Sequence, residues 1–464
     1  MPDYLAISAS PNQSSCCASL SLPNAHHCEQ VSARSHIAEK PKYSAFRLCY
    51  ERMSTPTSNF VQNMFLKYYT ECFHEIGIPS SFEKREFAAL LFRNRIMVRH
   101  KSFTSARELE CFLRADVPSD VYYSSAYYEQ PGASEMSAKG WIGADLIFDI
   151  DADHIPTSCD RTHDEWTCEK CGFSGKGITP ERCPACGGEK FNENTWLCEV
   201  CLDSAKSETI KLLDMLINDF GVAEESIHVF FSGHRGYHIH ITDETMQCTD
   251  ALARKEIVDY VCALGFDRVL QKIDENNMQT LSMEDHGWRG RIAKGIHDFL
   301  LDARPQDYAA IGLGKKIGNI IDKNKDSILK DLEERTKSKK PKGLGPETWR
   351  KIVEHALEHK TAHVDTVVTA DIHRLIRLTG TLHNKTGLKK VEFPASTIRR
   401  FDPFTSAIAF KEGTTTICVS KAPRFRMGNE TYGPYNNEEI KLPTAAAMLL
   451  ICKNRAEVNS QNVQ

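Results

Sequence analysis

The stretch Ala144 to Asp151, ADLIFDID, decides how this chain is read. Its apolar residues Leu146, Phe148 and Ile150 alternate with Asp145, Asp149 and Asp151. A period of two marks a β-strand with one apolar and one acidic face. Asp149 and Asp151 stand at i and i+2, so their carboxylates leave the same face with Cα atoms roughly 7 Å apart. At an effective dielectric near 20, two such charges about 6 Å apart repel by about 3 kcal/mol. A fold that holds them together calls for a cation. Oxygen ligands of this kind suit Mg²⁺ or Mn²⁺, which also take phosphate oxygens as ligands. A bare Asp-x-Asp also suits a solvated edge strand. Asp145 and Asp153 share the pair's parity, so the pattern alone leaves the choice of ligands within the strand open.

Outward from this strand, two further segments carry cationic groups. Ile227 to Phe231 and Tyr237 to Ile241 read as a β-hairpin around SGHRG. Its glycines free the backbone for a tight turn whose amides face an anion, and Ser232, Arg235 and His238 add donors suited to a triphosphate. An ordinary hairpin loop with an exposed arginine has the same sequence, and a lone glycine-rich loop is weak evidence. Further on, the spacing of Arg374 and Arg377 places them together on one helical face, with His383 in a polar turn beside Lys385 and Gly387. A basic helix end facing its own dipole fits equally.

Between the acidic strand and the hairpin lies a cysteine-rich insert. Cys168-x2-Cys171, Cys183-x2-Cys186 and Cys198-x2-Cys201 are spaced as metal knuckles, and Cys159-x3-His163 precedes them. The natural partition is Cys168, Cys171, Cys183 and Cys186 as a closed Zn²⁺ ribbon. Cys159, His163, Cys198 and Cys201 then close a second, basal Zn²⁺ site. Both sets are saturated by protein, so both are expected to be structural.

Composition bounds the rest. The chain has 464 residues, with 58 basic against 62 acidic side chains, a net charge of −4. That excludes a histone-like surface and leaves room for a local basic cleft. No run of 18 apolar residues reads as a membrane span, and the first 30 residues lack a signal-peptide layout. With cysteines in metal knuckles rather than a disulfide framework, a cytoplasmic location is expected. Residues 1–52 are rich in Ser, Ala, His and Cys without periodicity. Cys16, Cys17, His26, His27 and Cys28 match no zinc spacing, so this segment is expected to be disordered, with Met53 reading like a natural start. Helices are expected over Asn59 to Ile76, Ser204 to Phe220, much of 250–335, Glu347 to Leu357 and Pro443 to Cys452. Short strands are expected over Arg85 to Leu91 and Arg95 to Arg99. Thr336 to Pro346 reads as a basic Pro/Gly loop, more a solvated linker than a phosphate contact.

Taken together, these segments resemble the catalytic (small) subunit of archaeal and eukaryotic-type DNA primases. The resemblance runs from about Arg85 to the C-terminus. It rests on REF at 85–87, YYSSAYYE at 122–129, FDIDAD at 148–153, SGHRGYHIH at 232–240 and RLIRLTGTLHNKTG at 374–387. It implies a mixed α/β (α+β) catalytic core formed by 53–158 and 202–250 with 360–464. Residues 159–201 would be an inserted zinc module, and 251–359 a mainly helical region with the basic loop. Carried over by position, the catalytic aspartates fall on Asp149, Asp151 and Asp365, which lies 18 residues before His383. Asp371 competes, but its place beside RLIR looks more like a helix start.

The family's triphosphate contacts fall on Ser232, Arg235, His238, Arg377 and His383, and Glu86 and Arg99 match positions lining the nucleotide site. The family's zinc site matches Cys159, His163, Cys198 and Cys201; the extra ribbon departs from the minimal family form. The implied activity is DNA-templated synthesis of short primers from nucleoside triphosphates on single-stranded DNA, with Mg²⁺ or Mn²⁺, in a heterodimer with a large subunit. Arg93, Arg95, Arg99, His100 and Lys101, with Tyr122, Tyr123, Tyr127 and Tyr128, are candidates for the template groove; core packing competes for the tyrosines. The alternatives are a primase-polymerase for repair or gap filling, and an inactive zinc-ribbon nucleic-acid-binding protein.

Overall fold

The acidic segment is one of eight strands: β1 (Phe87–Leu91), β2 (Met97–Lys101), β3 (Pro118–Ser124), β4 (Leu146–Asp151), β5 (Ile227–Phe231), β6 (Gly236–Ile241), β7 (Leu375–Arg377) and β8 (Val391–Phe393). In the computed structural model they form two antiparallel sheets, ordered β7-β3-β1-β2 and β8-β5-β6-β4. The structure describes residues 55–92, 95–267, 273, 281–335 and 341–459. The expectations for 1–52, Arg93 and the start of the basic loop lie outside them.

The acidic strand β4 begins at Leu146, and the residues before it form a separate short strand, Trp141–Ala144. Leu146, Phe148 and Ile150 are buried, as the alternation requires, and Ile147 between the acids is buried too. Helix Glu199–Asn218 packs on β6 and β4, burying Leu202, Ala205, Thr209, Leu212 and Leu216 at helical spacing. It starts five residues earlier than the sequence suggests, immediately after Cys198.

The cysteine-rich insert has its own three-stranded sheet, ordered Ser174–Lys176, Glu165–Cys168, Phe191–Asn194. The Trp166 ring lies between Phe173 and Phe191. A Cβ on Gly175 would meet that indole at 2.3 Å, which is why the facing position carries no side chain. Residues beyond 250 are helical as expected, including Ala251–Val261, Gly287–Asp302 and Lys315–Glu334, followed by Pro346–Lys360. Gly287–Asp302 and Pro346–Lys360 approach so closely at Gly295 that an added Cβ would sit 2.9 Å from that of Ala356. No described helix is long and apolar enough to cross a membrane.

Two sequence expectations are corrected, and for the tyrosines the core reading holds. RLIR is not helical: Leu375–Arg377 is a strand that pairs with β3, Arg377 opposite Tyr122. Residues three apart on a strand leave opposite faces, so Arg374 and Arg377 do not share one. Asp371 therefore starts no helix; it follows the short helix Thr366–Ala370 at its C-terminal end. Tyr123, Tyr127 and Tyr128 are buried, which makes them core residues rather than an open stacking surface. The sequence also gave no notice of a C-terminal sheet, Tyr435–Pro443, Thr414–Ala422 and Ala456–Val458. Beside it runs helix Thr444–Cys452, apolar on every side and buried except at Ala445.

Candidate active site and metal centres

Asp149 and Asp151 end β4, and the register of β6 sets His238 opposite Asp149 and Gly236 opposite Asp151. A side chain at 236 would drive its Cβ to 2.3 Å from the Ile150 carbonyl, so this crossing requires glycine. The His238 Nε2 lies 3.5 Å from Asp149 Oδ1. Asp365 joins them through its backbone: its N–H donates to the Asp149 carbonyl at 2.9 Å. Its carboxylate accepts from the N–H groups of Val367 and Val368, capping Thr366–Ala370.

The other acids of the same parity are already engaged. Asp145 is buried against Arg85 at 2.7 Å and accepts from the Tyr127 hydroxyl. Asp153 accepts from Arg235. Among the described residues, Asp149 and Asp151 carry no ion pair with Arg or Lys, while the carboxylates of Asp151 and Asp153 and the His234 ring lie within 4.8 Å of one another.

The electrostatics mark this cluster. Burial, then repulsion from Asp151 and Asp365, pushes Asp149 up from its ordinary 3.8 to about 7, against the pull of Arg374 and Lys390. Burial and the charge of Asp153 push Asp151 up to about 6. Burial holds His238 and His383 well below the ordinary imidazole value, so both rings are neutral near pH 7. Carboxylates that resist ionising side by side form a site short of positive charge.

The structure distributes the expected nucleotide contacts as follows. Ser232 Oγ accepts from the N–H groups of His234 and Gly236, shaping the turn it belongs to. His383 stacks on His234 with ring centroids 4.9 Å apart. Arg377 is buried, bridging Asp120 at 2.7 Å and the Leu382 carbonyl at 3.0 Å. Asn384 also donates to Asp120, so this acid pins the LHNK turn to β7. Arg235 departs from the expectation of a direct phosphate contact. Its side chain has no exposed surface and is held by Asp153 and Asp164. Glu86, just before β1, pairs with Arg99 on β2 at 3.1 Å. Burial alone would raise Glu86, but Arg99, the His100 N–H and Lys139 hold it below the usual carboxylate range.

Three buried lysines escaped the sequence reading, Lys139 beside Glu86 and two others. Lys390 donates to the Arg377 carbonyl and lies against His240. Lys453 donates to the Thr195 carbonyl and meets His234 Nε2 at 2.8 Å, and burial pulls it down to about 7. The dipeptide Lys389-Lys390 was the one visible signal; nothing around Lys453 marked it.

The cysteines assemble into the two predicted sets, Cys159/His163/Cys198/Cys201 and Cys168/Cys171/Cys183/Cys186, each with ligand atoms within 4.8 Å of one another. Sulfur pairs lie 3.4–3.7 Å apart. A tetrahedron with metal–sulfur bonds of about 2.3 Å has edges near 3.8 Å, so both sets fit a closed tetrahedral metal site.

Comparison with known proteins bears on the family. The family model for the DNA primase small subunit matches residues 187–394. The DNA primase small subunit PriS of Nitrosopumilus maritimus is 31% identical over 409 residues, 88% of this chain and 100% of that protein. The chain belongs to the DNA primase small subunit family. PriS of Methanococcoides burtonii is 32% identical over 427 residues, 87% of this chain and 99% of that one. PriS of Cenarchaeum symbiosum is 32% identical over 395 residues, 84% and 96% respectively. The enzyme class is therefore nucleotidyl transfer, the making of primers.

Proposed function

We propose that this chain synthesises short primers on single-stranded DNA by two-metal-ion nucleotidyl transfer, as the catalytic subunit of a heterodimer with a large primase subunit. The observation that carries this reading is Asp149, raised by burial and by the nearby charges of Asp151 and Asp365, with the neutral His238 ring 3.5 Å from it. Divalent cations, Mg²⁺ or Mn²⁺, held by these three acids would supply activation of the attacking 3′-hydroxyl and neutralisation of the departing pyrophosphate. The chain's own groups do the rest. The 232–236 turn, His238, Arg377 and His383 would bind the triphosphate and hold it in line. Neutral imidazoles donate to phosphate oxygens without drawing the acids into ion pairs. Arg235 takes a supporting role under the turn. Arg99 and Glu86 would flank the nucleotide from the companion sheet. Zn²⁺ suits both thiolate sites, each closed by four protein ligands and hence structural. We read the protein as cytoplasmic.

The test is a primer-synthesis assay on single-stranded DNA with the large subunit present. De novo initiation supports the proposal. Extension of a supplied primer without initiation would favour a gap-filling primase-polymerase. Template binding without synthesis would indicate an inactive nucleic-acid-binding protein.

A further inference from the structure

We infer that Asp164 is a positioning residue, which through Arg235 joins the basal metal site to the strand carrying Asp151. This rests on the reading of Asp151 as a metal-binding acid and of the basal cysteines as a zinc site. His163 turns Nε2 towards the thiols, 3.6 Å from Cys201 Sγ, and Nδ1 towards Asp164 Oδ1 at 2.7 Å. That same oxygen accepts from the Trp196 N–H at 2.9 Å. The second oxygen, Oδ2, lies 2.8 Å from Arg235 Nη2. Arg235 Nη1 donates to Asp153 Oδ1 at 2.5 Å, and the Asp153 N–H donates to Asp151 Oδ1 at 3.0 Å. The Arg235 carbonyl also accepts from the Ala152 N–H. The path from His163 to Asp151 is therefore continuous.

Water does not stand in for any link at its centre, since Arg235 has no exposed side-chain surface and Asp164 only 7%. A buried cation that loses one of two carboxylates must settle on the other or draw in solvent. Either response moves the end of β4. A carboxylate behind a ligating histidine also fixes the ring's tautomer and direction, and its loss typically weakens metal binding about 10–100-fold. Asp164 serves both centres with different oxygens.

The two duties separate by substitution. Asp164→Asn keeps an oxygen for His163 and Trp196 but removes the charge beside Arg235. Asp164→Ala removes both. On the full chain, zinc affinity is read by competition with a chromogenic chelator. Mn²⁺ binding is read by electron paramagnetic resonance. We expect Asp164→Asn to hold zinc within a few-fold of wild type and to weaken Mn²⁺ several-fold; its melting temperature should fall, because a buried cation loses a paired charge, while the chain stays folded. Asp164→Ala should in addition lose about 10–100-fold in zinc affinity. Arg235→Lys, which cannot span both carboxylates, should reproduce the Mn²⁺ loss, and decides the matter if Asp164→Ala does not fold. Wild-type Mn²⁺ affinity in both Asp164→Asn and Arg235→Lys overturns the link. Asp151→Asn must abolish the Mn²⁺ signal; if it does not, the acid site itself is misread, and the proposal falls with it for that separate reason.

Discussion

Burial and neighbouring carboxylates push Asp149 up to about 7 and Asp151 up to about 6. A carboxyl raised in the fold binds protons more tightly there than in the unfolded chain. Its contribution to stability is thus present at pH 4 and lost as pH rises towards 7. The buried neutral histidines work in the opposite direction over the same range, so the comparison that isolates the acid is between variants. Asp149→Asn should gain stability over wild type in Mg²⁺-free buffer as pH rises from 5 to 7.5, by about 2–3 kcal/mol, read as a widening difference in melting temperature. Added Mg²⁺ should shrink the gap; a difference independent of pH would show that repulsion is not what raises the group. The same substitution, and Asp151→Asn, should lower primer synthesis by orders of magnitude with the fold intact, and activity within tenfold of wild type would refute the assignment. His383→Ala should raise KM for nucleotide and lower kcat in steady-state kinetics, while template binding stays unchanged. The acid pair was legible because a strand's period of two is explicit in ADLIFDID. Asp120, Lys390 and Lys453 were not, since each acts through partners far away in sequence.

The cysteine insert was the element most open to reading, because ligand spacing is a local property of the chain. Its content is checkable by elemental analysis: about two zinc ions per chain, one lost in Cys183→Ser and the other in Cys198→Ser. Finding one ion in the wild type would remove one of the two sites. Gly175→Ala should loosen the ribbon alone, since its Cβ would strike Trp166. The hairpin around SGHRG was equally legible, its strands falling where alternation and glycine place them. RLIR was misjudged because two arginines three apart satisfy a helical face, while the sheet that claims Ile376 as a buried rung comes from residues 118–124. Pairing partners of that kind leave no mark within the segment.

At the scale of the whole molecule, the C-terminal sheet was the largest omission. Tyr435–Pro443 is exposed and polar along most of its length, and Thr414–Ala422 alternates only around Ile417 and Val419, so the signal is faint. The helix between them and Ala456–Val458 was visible, yet its central place was not. Leu449→Ala, at a position with no exposed surface, should lower stability by about 2–5 kcal/mol and be seen as a large drop in melting temperature. A drop under 1 kcal/mol would mean that the core closes without this helix. The same arrangement ties the first described helix, Thr55–Glu71, to the last strand: the Val458 N–H donates to Thr57 Oγ1 in the interior. During synthesis, residues near 57 leave the ribosome roughly 400 residues ahead of their partner, at ~5–20 residues per second. For tens of seconds the nascent chain exposes a core with its closing piece still unmade. Ribosome-bound chaperones are thus expected to hold this polypeptide until translation nears its end, and chains stalled before Thr444 to be cleared rather than accumulate half-active.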